Sequence, residues 1–317
     1  MAANRLSGPV EAIRRDPLRT PARHPARRRR GRKGHATPLL YLAPAVLLYT
    51  LFTVLPALHT GYLSLFDWDG VTLPSFAGLG NYRLVAEDPQ LRAAALHAGT
   101  LIIFFSVLPI LFGLVSAAIV ARHRRRGMAF VRVVLFLPQV VPLVAVGIIW
   151  RWVYAEDGVV NQVLHWLGLG EEARAWLGSF DWALFAVGVI GTWVVSGLCL
   201  VLFLSGTQRI DREIYEASRM DGAGPVREFF SITLPLLRPE IAVALSITVI
   251  AALSSFDLIY ITTGGGPGNS TVVPGILIYR LAFGGGAVGL ASALAVVLTC
   301  VIFAIVLTLN RLIRESP

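Results

Sequence analysis

The sequence is poor in the residues that most often mark chemistry. It has one lysine, Lys33, and two cysteines, Cys199 and Cys300, in 317 residues. With its only lysine near the N-terminus, the chain has no phosphate-binding loop of the Gly-Lys-Ser/Thr kind. The glycine run Gly264-Gly265-Gly266-Pro267-Gly268 is therefore no nucleotide cradle and reads as a flexible outer loop that contacts a partner. Both cysteines fall in apolar runs, which excludes a disulfide framework or a cysteine metal site and leaves packing as their role. Charge is also scarce. Only 15% of residues are charged, against 55% hydrophobic, and the mean hydropathy of +0.67 is too high for a water-soluble domain. No catalytic constellation stands out. His59 and His97 lie near the ends of apolar segments and His123 and His165 lie in loops, none with a partner at metal-ligand spacing. No catalytic residue, metal or cofactor is expected.

The chain does have long apolar runs. A bilayer span needs ~20 mainly apolar residues, and six segments qualify: roughly 39–66, 98–121, 131–154, 183–206, 240–261 and 286–310. The expected fold is an all-α membrane protein of six transmembrane helices. Pro44, Pro56, Pro109 and Pro142 lie in or near these runs, where neighbouring helices and water can satisfy the carbonyls they free. The first run is too long for a signal-peptide core and lacks a clear cleavage site, so it is expected to stay as a helix. Residues 1–38, rich in proline and arginine, are expected to be a disordered basic cytoplasmic tail suited to topology setting and contact with anionic lipid.

The net charge of +9 would suit nucleic acid, but its distribution argues against that partner. Arg27 to Arg30, Arg32 and Lys33 lie in one run, and Arg122, Arg124, Arg125, Arg126 and Arg132 lie in one short loop. The loops 67–97 and 155–182 are acidic on balance, and Arg311 and Arg314 close the chain. Basic and acidic stretches alternate, which places both termini, the 122–132 loop and the loop between spans four and five in the cytoplasm.

That last loop, 207–239, is the most distinctive stretch. Glu213 to Pro239 reads as two short helices, with Asp211 as N-cap of the first. Asp221-Gly222-Ala223-Gly224 forms the break, Pro225 opens the second helix, and Pro235 and Pro239 bend or end it. Gly222 is expected to be needed because a side chain would fill the turn. Glu213, Glu216, Ala217, Ser218, Asp221, Gly222 and Ala223, then Ile232, Leu234 and Pro235, resemble the EAA loop of ABC importer permeases. Ser218 at the second Ala position is the one departure. Further along the chain, Gly78 to Tyr82, Phe136-Leu137-Pro138, Gly158 with Asn161, Phe256-Asp257, Gly265-Gly266-Pro267 and Ala282-Phe283 resemble the carbohydrate-type permeases related to the maltose and glycerol-3-phosphate proteins.

The resemblance implies a type I importer permease, a transport subunit of a bacterial cell membrane rather than an enzyme. The implied partners are a second homologous permease, a cytoplasmic ATPase dimer that hydrolyses the ATP, an extracytoplasmic substrate-binding protein and membrane lipid. The implied cargo is a sugar or sugar-like solute, with a polyamine, an amino acid or an anion as the alternative and a stand-alone channel as a further one. Trp193, Ser196, Ser254, Ser255, Phe256 and Asp257 are the candidate substrate path, because aromatic faces suit a sugar ring while hydroxyls and carboxylates suit its OH groups. Gly285 and Gly289 form a small-xxx-small pair expected to let the sixth helix pack closely on another.

Overall fold

The computed structural model describes residues 36–122 and 128–315. The expected tail, and most of the arginine-rich loop after residue 122, lie outside the described residues. Residues up to Thr53 form one unit and Val54 onward another. The first unit holds helix α1 (Ala36–Tyr49) and most of a π-helical turn, Thr50–Val54, and its side chains from Tyr41 to Phe52 are exposed.

The second unit opens with α2 (Leu55–Leu63) and a two-stranded antiparallel hairpin that the sequence reading did not anticipate. Strands β1 (Phe66–Asp67) and β2 (Ser75–Phe76) pair Phe66 with Phe76. The Asp69 carboxylate accepts the backbone N–H of Thr72 at 2.7 Å and of Val71 at 2.9 Å and fixes the connecting turn. These bonds and that from the Thr72 hydroxyl hold its carboxyl below the usual range. Helices α3 (Gly80–Glu87), α4 (Pro89–Ile102) and α5 (Leu108–Arg122) follow, the last two joined by a π turn, Ile103–Val107. Asn81 anchors the hairpin base, its Nδ2 donating to the carbonyls of Ser64 and Phe66.

Next come α6 (Met128–Val140), α7 (Leu143–Val153), α8 (Val159–Trp166) and α9 (Ala183–Thr207). Helices α10 (Arg212–Met220), α11 (Pro225–Glu228) and α12 (Leu234–Leu236) form the central polar loop. The chain ends in α13 (Arg238–Leu253), α14 (Asp257–Thr262), α15 (Pro274–Tyr279) and α16 (Val288–Glu315). Helix α9 is the core: it packs on α5, α6, α13 and α14, and Ile190, Cys199 and Phe203 on it are fully buried. The outward faces of α5, α6, α7 and α16 expose Phe112, Phe130, Trp152 and Phe303, as lipid-facing helices do.

Among the described residues four helices are long and apolar enough to cross a bilayer, and two bent pairs bring the number to six if each is one span. The bends correct the expected continuous spans. The segment predicted at 131–154 turns by 106° between Val140 and Leu143, at Pro142. The second bent pair, Pro225–Leu236 with Arg238–Leu253, turns by 70° at Leu237. Separately, the segment predicted at 240–261 stops at Leu253 and restarts at Asp257, across an unwound Ser254-Ser255-Phe256. Three prolines are absorbed differently. The π turns Thr50–Val54, Ile103–Val107 and Phe229–Thr233 each end two residues before a proline: Pro56, Pro109 and Pro235. Proline lacks an N–H and its ring collides with the carbonyl four residues back, and widening the preceding turn relieves that collision. At the second of these turns the Thr192 hydroxyl, from α9, caps the Phe104 carbonyl at 2.6 Å.

The connection after α7 turns on Asn161, 1% exposed. Its Nδ2 donates to the carbonyls of Ala155, Glu156 and Arg174, and its Oδ1 accepts from the Arg174 N–H and, at 2.8 Å, the Trp176 indole. Replacing Asn161 with leucine strands several of these groups in a buried site, at ~1–3 kcal/mol for each one left unpaired. Asn161→Leu is expected to lower the thermal midpoint of the detergent-purified chain by several degrees, while Gln162→Leu on the exposed side leaves it unchanged. Equal midpoints would refute the anchoring role.

Candidate coupling knob and translocation path

The polar loop forms a rigid knob. Asp211 occupies the N-cap position of α10 with extended backbone, but its side chain makes no capping bond there. At the other end, Gly222 N–H donates to the Arg219 carbonyl and Ala223 N–H to the Ser218 carbonyl, the paired bonds of a left-handed helix stop. Gly222 has φ +79°, and a Cβ built on it meets nothing within 4 Å. The reason for glycine is therefore conformational, which corrects the expectation that a side chain would crowd the turn.

Glu213, Glu216, Ala217, Asp221 and Gly222 are exposed, and Ser218, Ala223, Ile232, Leu234 and Pro235 are half-buried. Beside the carboxylates the knob exposes Met220, Val226 and Phe230. Two contacts lock α10 to the helices after the turn. Tyr215 Oη lies 2.9 Å from Thr233 Oγ1, and Arg219 Nε donates to Glu228 Oε1 at 2.8 Å. Glu228 is 3% exposed, and its hydrogen bond and charge hold the Arg219 guanidinium above its ordinary pKa. Sequence reading missed Tyr215, Glu228 and Thr233 because their pairings cross the glycine turn and have no helical spacing. A cleft of about 1550 Å³ opens between this loop and the adjacent ends of the bundle, lined among others by Ile119, Arg132, Glu216 and Phe229.

The candidate path residues fall into two groups. Trp193 and Ser196 lie on α9. The Trp193 ring packs edge-on against Trp150 of α7 at 5.6 Å, and Ser196 Oγ donates to the Thr192 carbonyl at 2.5 Å. The other four cluster at the α13–α14 break. Ser254 and Asp257 are exposed, Ser255 Oγ is buried without a hydrogen-bond partner among the described residues, and Phe256 stacks on Tyr260 at 5.1 Å. The 16 residues of α13 rise roughly 24 Å from its start beside the polar loop, so the break lies most of the way across a ~30 Å hydrocarbon core from that loop. Unwound backbone at membrane depth is tolerated only where protein covers it or a watered cavity meets it.

The glycine-rich connection before α15 is pinned, contrary to the expectation of a flexible loop. Arg280 donates to Asn269 Oδ1 and to the Gly264 carbonyl, both at 2.8 Å, and Thr263 and Thr271 join their hydroxyls at 2.7 Å.

Residues 109–314 match the family described as binding-protein-dependent transport system inner membrane component. Relatives include the sulfoquinovosyl glycerol transport system permease protein SmoG of Agrobacterium fabrum, 37% identical over 281 residues, or 88% of this chain and 90% of that protein. The lactose transport system permease protein LacF of Rhizobium radiobacter is 35% identical, over 77% of this chain and 82% of that one. A crystal structure of a bacterial ABC transporter involved in alginate import superposes with a TM-score of 0.74 at 24% identity, covering 89% of this chain and 96% of that one, and supports the fold. The membrane-crossing helices and the match over most of the chain's length lead to one conclusion: the chain belongs to the binding-protein-dependent inner membrane components and is the multi-pass permease subunit of an ABC transporter, a transport protein rather than an enzyme.

Proposed function

We propose that the chain conducts a sugar or sugar-like solute into a bacterial cell, as one half of a path completed by a second, homologous permease. A dimer of cytoplasmic ATPases takes the α10 knob of each permease, an extracytoplasmic binding protein delivers the solute, and both termini face the cytoplasm. The observation that carries this reading is the knob itself: exposed on its carboxylate face, stopped by Gly222 and locked to the chain that continues into α13 by Arg219–Glu228 and Tyr215–Thr233. Movement of an ATPase against α10 reaches α13 through those two contacts, and α13 ends at the polar break. A push from the cytoplasmic side thus arrives where Ser254 and Asp257 are exposed. A sugar cargo is supported by relatives named for lactose, trehalose/maltose and sulfoquinovosyl glycerol transport. The exposed Asp257 carboxylate also suits a cationic solute, and this favours a polyamine as the second reading.

The test is purification of the tagged full chain in mild detergent, followed by uptake measurements in vesicles holding the recovered assembly and its binding protein. An ATPase and a second permease are expected to come with it, with ATP-dependent uptake of labelled lactose, maltose or trehalose. Uptake of spermidine and of no sugar would move the reading to the polyamine class. A folded chain that purifies alone would defeat the importer arrangement.

A further inference from the structure

From Phe256, the candidate path residue at the polar break, a row of aromatic rings runs outward through Tyr260, Tyr279 and Phe283, which neither the coupling knob nor the candidate path includes. Phe256 stacks on Tyr260 at 5.1 Å and lies 5.4 Å from Tyr279, and Tyr279 in turn lies 5.2 Å from Phe283. Tyr260 and Tyr279 also meet directly, with ring centroids 5.1 Å apart and hydroxyls at 3.3 Å. The row starts half-buried at Phe256 and is open at its far end: Tyr260 is 43% exposed, Tyr279 36% and Phe283 80%. Phe256 packs against the core, whereas Tyr260, Tyr279 and Phe283 leave ring area exposed that does not fill it.

The row is held in place from behind. Gly275 of α15 brings that helix against the break, where a Cβ would lie 3.2 Å from the Ser255 carbonyl and 3.3 Å from Phe256 Cβ. Arg280, next to Tyr279, is fixed to the glycine-rich connection by its two hydrogen bonds. The ring positions are therefore set by backbone packing together with the rings' own contacts. Rigid aromatic faces flanked by hydroxyls match one ligand chemistry well. A pyranose offers an apolar C–H face to stack and equatorial hydroxyls around its edge, and stacking on such a face costs little ordering when the ring is already fixed. The same faces attract a cation through their quadrupoles, so spermidine is the competing ligand in the test.

We propose that Phe256, Tyr260, Tyr279 and Phe283 form a stacking ladder on which pyranose rings rest between delivery at the outer mouth and entry at the Ser254–Asp257 break. This rests on the sugar reading given above. The ladder recognises the ring face of a sugar rather than one hydroxyl pattern, so it positions different pyranoses and leaves selection to other parts of the transporter.

The experiment places 3-fluorotyrosine at Tyr260 and Tyr279 in the assembled transporter in nanodiscs and follows both fluorine signals while lactose, maltose, mannitol and spermidine are added in turn. Saturable shifts with lactose and maltose are expected, and none with mannitol, which carries hydroxyls but no ring face. Phe283→Leu, which keeps apolar volume and removes the face, is expected to raise the half-saturating sugar concentration about tenfold, without loss of the partner permease from the complex. Signals that ignore both sugars overturn the ladder, and if vesicles still take up sugar the transport reading survives that failure. Signals shielded from a soluble paramagnetic reagent, with Phe283→Leu weakening complex assembly, would make the row a permease–permease contact and also overturn it. A response to spermidine but to neither sugar sinks the ladder and the sugar reading together.

Discussion

Gly222→Val is expected to cut ATP-dependent uptake by at least about tenfold while leaving membrane insertion and the amount of chain unchanged. Gly222 sits at φ +79° in open space, so nothing collides with a new side chain. The penalty is conformational: a left-handed backbone costs an L-residue about 1–2 kcal/mol, more when Cβ is branched, and each 1.4 kcal/mol is a factor of ten in population. If the turn is not held, the bonds from Gly222 to Arg219 and from Ala223 to Ser218 open, and α10 loses its fixed angle to the Arg219–Glu228 pair. Asparagine tolerates this conformation, so Gly222→Asn is expected to keep most of the uptake although it is larger than Gly222→Ala. An effect that follows side-chain volume, with asparagine worse than alanine, would show that crowding in a docked ATPase cleft matters and that the turn does not.

Gly289→Ala is expected to have the largest effect on stability, about 3 kcal/mol or more, seen as early aggregation on heating in detergent. An ideal Cβ at Gly289 falls 1.9 Å from the Phe66 carbonyl oxygen and 3.3 Å from Asn81 Nδ2, and backbone cannot rotate aside as a side chain can. The Gly289 N–H also donates to the Trp68 carbonyl at 3.1 Å, so α16 is tied to the hairpin at this point. Gly285→Ala is the internal control: its nearest neighbour lies 3.5 Å away, and the change is expected to be nearly neutral. Matched midpoints for the two variants would overturn the close approach. The sequence pattern had paired these glycines as a helix-packing motif; in the structure Gly285 precedes α16, and Gly289 meets a strand.

Much of the candidate site was legible because its signals are local. The helix from Arg212 to Met220, its glycine stop and the opening Pro225 follow from capping and backbone preferences that act within a few residues. The positions of Glu213 and Glu216 on an exposed face follow from the same helix. Trp193 illustrates the limit. Its aromatic face made it a candidate path residue, but the sequence could not show that its ring lies against Trp150, forty-three positions away. Asn161 is the opposite case: its position within a family-like loop marked it, but only the fold shows that it gathers backbone groups from both sides of a turn.

By itself the sequence determined that this is a membrane protein of six apolar segments, how arginine alternates between its loops, and that the polar loop carries a short helix and a glycine stop. Transfer energies and backbone propensities act residue by residue, so they are written directly in composition and short spacings. Only the tertiary structure decided that two spans are bent, that prolines 56, 109 and 235 are absorbed by widened turns, that Arg219 is bound to a buried Glu228, and that four aromatic rings line up beyond the break. Those features depend on which distant surfaces meet, and a contact between residues far apart in the chain leaves no period or spacing from which it can be read.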